Sequence, residues 1–310
     1  MKAVRYGRYG AAEVLELVEV PDPEPSPGEV LVEIHAASVN PVDWKIRSGL
    51  LSRLFEVRFP AIPGRDGAGV VAAVAGDVAG IGAGDEVCFI AGHGGQGSYA
   101  EKIVLAADGL APKPAGLSFA EAAAFPLAGM TAWAALVDAA PVEPGMKVLI
   151  HGGGGGVGGI AIQLARHLGA GTVAATCSAA NVERVMALGA DRAIAYDRED
   201  FADAIADQDL VFDTQGGEVH RKSYRVLRKG GTLVWITAGP VEDLSARYGV
   251  TAVQARVRPD PDGLRRLAGL IARGAVRPEV GRVMALADAA EAHRISESGH
   301  AQGKIVLRVR

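Results

Sequence analysis

The sequence predicts an α/β protein in which a mostly β unit is interrupted by an inserted unit built on a parallel sheet. Three observations carry that reading. Up to about residue 120 the chain consists of short Val- and Ile-rich runs punctuated by Pro and Gly. From Lys147 it alternates apolar strand and helix patterns with short links, and from residue 261 it reverts to two helices and a terminal strand. Repeated β-α-β with short links lays strands side by side in parallel, with helices on both faces. At 310 residues the chain has room for two domains of ordinary size.

The elements follow in order. Residues 21–28, Pro-Asp-Pro-Glu-Pro-Ser-Pro-Gly, form a proline-stiffened approach to a strand at 29–34. Strands are expected at 70–74 and 86–90, in a compact barrel-like or sandwich-like domain. The Ala-rich stretch 120–140 reads as helix. Strands then fall at 148–151, 172–177, 193–196, 209–212, 232–236 and 252–257, and helices at 157–168, 182–188 and 219–227. Leu264, Leu267, Leu270 and Ile271 have helical spacing within 261–273. A second helix at 287–296 and a strand at 303–309 complete a tail expected to pack back on the first domain.

Composition excludes several classes. Apolar residues make up 49% and charged residues 22%, normal for a folded domain with a core. The net charge of −4 gives no whole-chain attraction to nucleic acid. Two cysteines, Cys88 and Cys177, build neither a Cys-rich zinc lobe nor a disulfide framework. The first residues carry no apolar core of a signal peptide, and no run of about 18 apolar residues marks a membrane span. The expectation is a soluble cytoplasmic protein without membrane or nucleic-acid partners.

Glycine stands out, at 41 of 310 residues, about twice the usual share of roughly 7%. It clusters at 64–69, 92–97 and above all 152–159. In the last cluster Gly153, Gly155 and Gly158 satisfy G-x-G-x-x-G, although a run that includes Gly154 and Gly156 satisfies many patterns. Context strengthens the motif. Val148, Leu149 and Ile150 precede it as a buried strand. Val157, Ile160, Ala161, Leu164, Ala165 and Leu168 follow as one helix face. Strand, glycine turn and helix is the setting of a Rossmann dinucleotide fold, in which glycines admit a pyrophosphate to the main chain and the helix start presents unpaired N–H groups.

An NAD site places an acid at the end of the second strand, on the ribose 2′-hydroxyl. Here that strand ends Thr176-Cys177-Ser178-Ala179-Ala180-Asn181, and the first acid, Glu183, is already inside the next helix. Ser178, Asn181 and Arg184 suit a 2′-phosphate, which favours NADPH, although Arg184 also reads as a solvated helix charge.

The whole chain resembles the medium-chain dehydrogenases/reductases, and within them the zinc-independent quinone oxidoreductase branch that includes zeta-crystallin-like proteins and alkenal reductases. The resemblance rests on residues 40–49, Asn-Pro-Val-Asp-Trp-Lys-Ile-Arg-Ser-Gly, and on 63–71, Pro-Gly-Arg-Asp-Gly-Ala-Gly-Val-Val. It rests also on segments 97–101 and 126–133, on the glycine turn, on Leu188-Gly189-Ala190-Asp191 and on Gly303-Lys304-Ile305-Val306-Leu307. It implies a GroES-like, mostly β catalytic domain at 1–121 and 258–310, with a Rossmann domain at 122–257 whose parallel sheet binds NADP. The nicotinamide is expected between the two. Zinc relatives carry catalytic ligands at positions that fall here on Asn40, Arg65 and Leu127, and an amide, a guanidinium and an alkyl chain make no zinc site. No metal is expected.

The resemblance further implies that Asn40, Pro41 and Thr131 lie near the nicotinamide and that Asn40, Asp43, Trp44 and Thr131 serve catalysis. Asn40 also reads as a helix cap with Pro41 at the first helical position. Trp44 stands where relatives often carry Tyr, and an indole donates no phenolic proton. Asp43 and Lys45 are titratable candidates or a surface ion pair. Arg65 and Asp66 read as a structural ion pair, and His93 and His151 as isolated structural histidines. On the cofactor side the resemblance points to Tyr196, Thr214, Thr237, Ala238 and Gly239. Val257, Arg258 and Lys304 are placed at the nicotinamide end, with surface exposure the other reading of Lys304. Loops 50–59 and 91–97 shape the substrate pocket.

The reading is an NADPH-dependent, metal-independent oxidoreductase that reduces quinones or α,β-unsaturated carbonyls by hydride transfer. Two alternatives stay open: a 2-enoyl thioester reductase, and a low-turnover NADPH-binding structural or redox-sensing protein. A homodimer is expected, with segments 232–236 and 252–255 at a sheet edge that pairs across a two-fold axis.

Overall fold

The computed structural model describes residues 1–76, 78, 80–92, 96–258 and 260–310. In chain order the strands are β1 Lys2–Arg5, β2 Glu16–Glu19, β3 Glu29–Val39, β4 Asp66–Val74, β5 Glu86–Ile90, β6 Lys102–Ala106, β7 Leu110–Pro112, β8 Lys147–Ile150, β9 Thr172–Cys177, β10 Arg192–Ala195, β11 Gln208–Asp213, β12 Leu227–Trp235, β13 Thr251–Gln254, β14 Val280–Ala285 and β15 Lys304–Arg308. The α-helices are α1 Pro41–Arg47, α2 Phe119–Ala123, α3 Pro126–Trp133, α4 Gly156–His167, α5 Val182–Ala187, α6 Phe201–Ala204, α7 Gly217–Ser223, α8 Ser245–Tyr248, α9 Pro261–Ala272 and α10 Ala289–Glu297. The chain forms two compact units. The first is Met1–Leu127, Pro259–Ala272 and Pro278–Arg310; the second is Ala128–Arg258 and Arg273–Arg277.

In the first unit a seven-stranded sheet runs β14-β15-β3-β4-β5-β7, with β6 also paired to β3. Only the β14–β15 ladder is parallel. Strand β3 alternates in burial along much of its length, with Val30, Val32 and Ile34 inward against Val71, Val87, Phe89 and Ile103. That is the period-two pattern of a strand with one face in the core. The C-terminal tail returns to this unit: β15 lies between β14 and β3, and Ile305 and Leu307 join Val4, Val39, Tyr99 and Leu286 in a second cluster. Strands β1, β2, β6, β7 and β14 were not foreseen.

The second unit is a six-stranded, all-parallel sheet ordered β10-β9-β8-β11-β12-β13. The order reverses between β8 and β11, and ligands of such sheets bind beyond the strand ends at that switch point. Val148, Leu149 and Ile150 of the central β8 are fully buried, as expected of a strand covered on both faces. On α4, Ile160, Ala161, Leu164 and Ala165 face inward, and the helix ends at Gly169, whose φ of +92° supplies the left-handed turn.

Three element expectations change. The Ala-rich stretch is not one helix: it breaks before Pro126, which opens α3, and winds as a π-helix over Ala134–Ala139. Helix α7 stops at Ser223, and β12 begins at Leu227, because Lys229-Gly230-Gly231 continues the strand. Of the two segments expected at a sheet edge, only β13 is an outer strand; β12 lies between β11 and β13.

Candidate active site

The second unit gathers the nucleotide-directed residues at the ends of its strands. The turn after β8 is drawn tight by Gly155 N–H on Gly152 O at 3.0 Å and by Gly153 N–H on Thr176 O at 2.8 Å. A Cβ on Gly158 would lie 2.2 Å from Gly152 O, and one on Gly153 would lie 2.9 Å from Ala175 Cβ. Packing alone therefore demands glycine at both positions. Gly155 differs. A Cβ there would meet only Gly152 O, at 3.4 Å, an ordinary contact, and its φ of −91° suits any residue. Gly155 is also the N-cap of α4, and no side chain caps that helix start. The open space lies over unpaired N–H groups, where an anionic ligand fits.

Ser178, Asn181 and Arg184 come together against Gly154. Arg184 Nη1 donates to Gly154 O at 3.3 Å, and Asn181 Nδ2 donates to Ser178 Oγ at 2.9 Å. A Cβ on Gly154 would sit 2.9 Å from Asn181 Cγ. Asn181 Oδ1 is buried without a hydrogen-bond partner. It is an acceptor, so it suits a ribose hydroxyl, while the guanidinium suits a phosphate. Asp197 Oδ1 accepts the Ala179 N–H at 2.9 Å. Sequence reasoning missed this carboxylate because it arrives from the end of the next strand.

Thr214 Oγ1 donates to His151 O at 2.8 Å and accepts from Gln215 Nε2 at 2.8 Å, which places both residues beside the turn. Thr237 Oγ1 is buried and unpartnered, at the head of the Thr237-Ala238-Gly239 loop after β12. Tyr196 is 57% exposed, and its N–H is bonded to Cys177 O. Val257 is exposed in the segment after β13, with Arg258 next to it. Thr131 is buried within α3. His151 is structural, as expected: its nitrogens meet Thr176 Oγ1 and Ser223 Oγ, both at 3.0 Å, and burial pushes it down to about 4, so it is neutral.

In the first unit Asn40 stands extended between β3 and α1. It is the N-cap residue, but its side chain does not cap. Nδ2 donates to Asp66 Oδ1 at 2.8 Å, and Oδ1 accepts from Lys304 Nζ at 2.5 Å. The cap runs the other way, with Asn40 N–H donating to Asp43 Oδ2 at 2.8 Å. Asp66 opens β4 and also accepts from Ser38 Oγ at 2.7 Å and from Leu127 N–H at 3.0 Å. Arg65 Nε donates to Ala91 O at 2.9 Å. Lys304 is buried, not exposed, and burial lowers its pKa against the opposing pull of Asp66 and Asp43.

Asp43 is 2% exposed, which corrects the surface ion pair with Lys45; the Lys45 ammonium lies over the Trp44 ring instead, 5.4 Å from its centroid. The Trp44 indole N–H is buried without a partner. Tyr99 OH donates to Asp43 Oδ2 at a long 3.4 Å, and His293 Nε2 meets Tyr99 OH at 3.2 Å. Burial first, then the Asp66 charge, pushes Asp43 up to about 7; the Asn40 N–H, Arg65 and Lys304 oppose the rise. Tyr99 and His293 were invisible in the sequence, being 56 and 250 residues from Asp43.

Among the described residues no three His, Cys, Asp or Glu side chains group to hold a metal ion. His93 lies outside the described residues.

Residues 26–115 match the alcohol dehydrogenase GroES-like domain, and residues 188–307 the zinc-binding dehydrogenase family. Over 99% of its length the chain is 38% identical to 2-methylene-furan-3-one reductase of Solanum lycopersicum, of which it covers 79%. It is 37% identical, again over 99% of its length, to the chloroplastic NADPH-dependent alkenal/one oxidoreductase of Arabidopsis thaliana, of which it covers 79%. The chain belongs to the medium-chain dehydrogenases/reductases. Within that family it falls in the zinc-independent quinone oxidoreductase and alkenal reductase branch. The Escherichia coli quinone oxidoreductase complexed with NADPH superposes with a TM-score of 0.90 at 28% identity, each chain covered in full at 100%. In this member of the branch the Asn40 amide is held from both sides, by Asp66 and by Lys304.

The Asp43 environment has a consequence for stability. A folded-state pKa near 7, above the ordinary carboxylate value of 3.8, means that the folded chain binds the extra proton between those values. Stability from this group is therefore full below about pH 4 and is lost as pH rises through about 7. Asp43→Asn removes the loss. In urea unfolding at a series of pH values the variant gains on the parent by on the order of 3 kcal/mol between about pH 4 and pH 8. Parallel profiles for the two proteins contradict this account of Asp43.

Proposed function

We propose that the chain is an NADPH-dependent, metal-independent oxidoreductase that reduces quinones or α,β-unsaturated carbonyls by hydride transfer. The observation that carries this reading is the turn at Gly155. It leaves room the fold does not need, over an uncapped helix start, with Arg184, Ser178 and Asn181 at its side. The names of the tomato and Arabidopsis relatives and of the E. coli structure support the acceptor classes and the cofactor.

Bound NADPH supplies the hydride. The chain's own part is to hold and orient. The glycine turn admits a pyrophosphate, Asn181 Oδ1 accepts from a ribose hydroxyl, and Arg184 meets a 2′-phosphate. Thr214 and Thr237 are placed along the strand ends. Quinones and enones carry their own electron demand and need no metal to polarise them. That suits a site in which Asn40, Arg65 and Leu127 supply no N/S donor set.

The test is NADPH oxidation by chelator-treated protein, offered one quinone and one small enone, with NADH as control. Turnover with NADPH and either acceptor is expected. Arg184→Ala raises the KM for NADPH by about tenfold, the loss of one charge-assisted contact, and leaves that for NADH unchanged. Silence with both acceptors, or a preference for NADH, contradicts the reading.

The same reading includes a homodimer formed through β13, the last strand of its sheet among the described residues, by pairing across a two-fold axis. Sedimentation at micromolar concentration is expected to give twice the chain mass, and a monomer alone removes the proposal. A cytoplasmic location belongs to it too, supported by Cys88 and Cys177, both free and buried. No helix among the described residues is long and apolar enough to cross a membrane. Cell fractionation that recovers the protein elsewhere removes the location.

A further inference from the structure

The turn after β9, where a dinucleotide fold reads the ribose 2′ position, meets a carboxylate from the neighbouring strand. A short 3₁₀ turn covers Ala179–Asn181, and Ser178 before it gives no side-chain cap. The cap comes from Asp197 instead, whose Oδ1 accepts the Ala179 N–H at 2.9 Å. The Tyr196 N–H donates to Cys177 O at 3.0 Å and holds the end of β10 against the end of β9. Burial first, then the Asp197 charge, pushes the Cys177 thiol up, so that charge reaches the last residue of β9.

Asp197 differs from the acids around it. Asp191 pairs with Arg166, Glu199 with Arg192 and Asp200 with Lys222. Asp197 is exposed and has no ion-pair partner among the described residues. The turn it caps carries a mixed set of groups. Ser178 Oγ accepts from Asn181 Nδ2, which leaves the hydroxyl proton to donate. Asn181 Oδ1 is a buried acceptor without a partner. Arg184 lies against Gly154 O. The hydroxyl and the guanidinium suit a 2′-phosphate, and the bare acceptor suits a 2′-hydroxyl. A carboxylate beside such a turn repels the phosphate and leaves the neutral hydroxyl almost untouched.

We propose that Asp197 is a specificity-determining residue of the cofactor site. Its charge, unpaired within the protein, holds the 2′-phosphate back against the pull of Arg184, so that NADH also binds and the preference for NADPH is moderate. The proposal rests on the NADPH reading above. Sites that select NAD place their acid at the end of the second strand. Here the acid comes from the end of the third, through a backbone N–H of the same turn, and it weakens the discrimination without reversing it.

Calorimetric titration of the ligand-free protein with 2′,5′-ADP and with 5′-AMP reads the 2′ position without turnover. The parent is expected to bind 2′,5′-ADP more tightly than 5′-AMP. Asp197→Asn keeps an oxygen for the Ala179 N–H and removes only the charge. It is expected to tighten 2′,5′-ADP by about fivefold at about 0.05 M salt and to leave 5′-AMP unchanged. The gain should shrink below about twofold at about 0.5 M salt, because exposed charges are screened. Asp197→Ser also offers an acceptor to the N–H and repeats the test if Asp197→Asn fails to fold. Unchanged or weakened 2′,5′-ADP binding, an equal shift for both nucleotides, or a gain that persists in high salt overturns the role of Asp197 and leaves the NADPH reading intact. A parent that binds 5′-AMP as tightly as 2′,5′-ADP, or more tightly, overturns that reading and the role of Asp197 with it.

Discussion

Helix α4 starts so close to the end of β8 that a methyl group on Gly158 would sit 2.2 Å from the carbonyl oxygen of Gly152. Everything on the nucleotide side depends on that approach. It aligns the helix axis with the turn and leaves the first-turn N–H groups unpaired beyond the strand ends. It also brings the end of β9 against Gly154, where Asn181 and Arg184 are fixed. The second unit spends its glycines in two ways. Gly153 and Gly158 are there because the chain has no space, and Gly155 is there although the chain has space to spare.

The first unit solves a different problem. Asn40, Arg65 and Leu127, which the resemblance sets at metal-ligand positions, supply an amide, a guanidinium and an alkyl chain, and a buried web of hydrogen bonds binds the region around Asn40 together. Asp66 is its acceptor, taking Ser38, Asn40 and the Leu127 N–H, and Lys304 brings the compensating positive charge through Asn40. Buried polar groups are tolerable only when nearly all are paired. Among the described residues the exceptions include Asp43 Oδ1, the Trp44 indole and two Arg47 nitrogens on α1, and Asn181 Oδ1 and Thr237 Oγ1 after the parallel strands β9 and β12.

Much of this was legible in the chain. The run Val148-Leu149-Ile150 before clustered glycines and an amphipathic helix identifies β8, the turn and α4 without recourse to structure, because buried parallel strands and core-facing helices leave periodic traces. The break before Pro126 and the π-helix after Trp133 were hidden, since an Ala-rich run favours helix throughout and tertiary packing decides where it bends. The extent of β12 was hidden by Lys229-Gly230-Gly231, which reads as a turn. The state of Asp43 was hidden most completely. Third in a short helix, it looks exposed, yet it is buried in the fold, where Tyr99 from a distant segment reaches it. Long-range burial of a polar residue leaves no local pattern.

The central claim is that Gly155 is a ligand-facing glycine and Gly158 a packing one. The direct measurement is the thermal midpoint of ligand-free Gly155→Ala and Gly158→Ala, together with the NADPH dissociation constant of each. At Gly155 the weaker N-cap of alanine, about 0.5–1 kcal/mol, is offset by a similar loss of unfolded-state entropy. Its midpoint should stay within about 2 °C of the parent, while NADPH binding weakens by about tenfold or more as the methyl group enters the pyrophosphate space. Gly158→Ala should lower the midpoint by several degrees, on the order of 2 kcal/mol of overpacking. Parental NADPH affinity in Gly155→Ala would contradict the account, because the open face of that glycine would then serve no ligand.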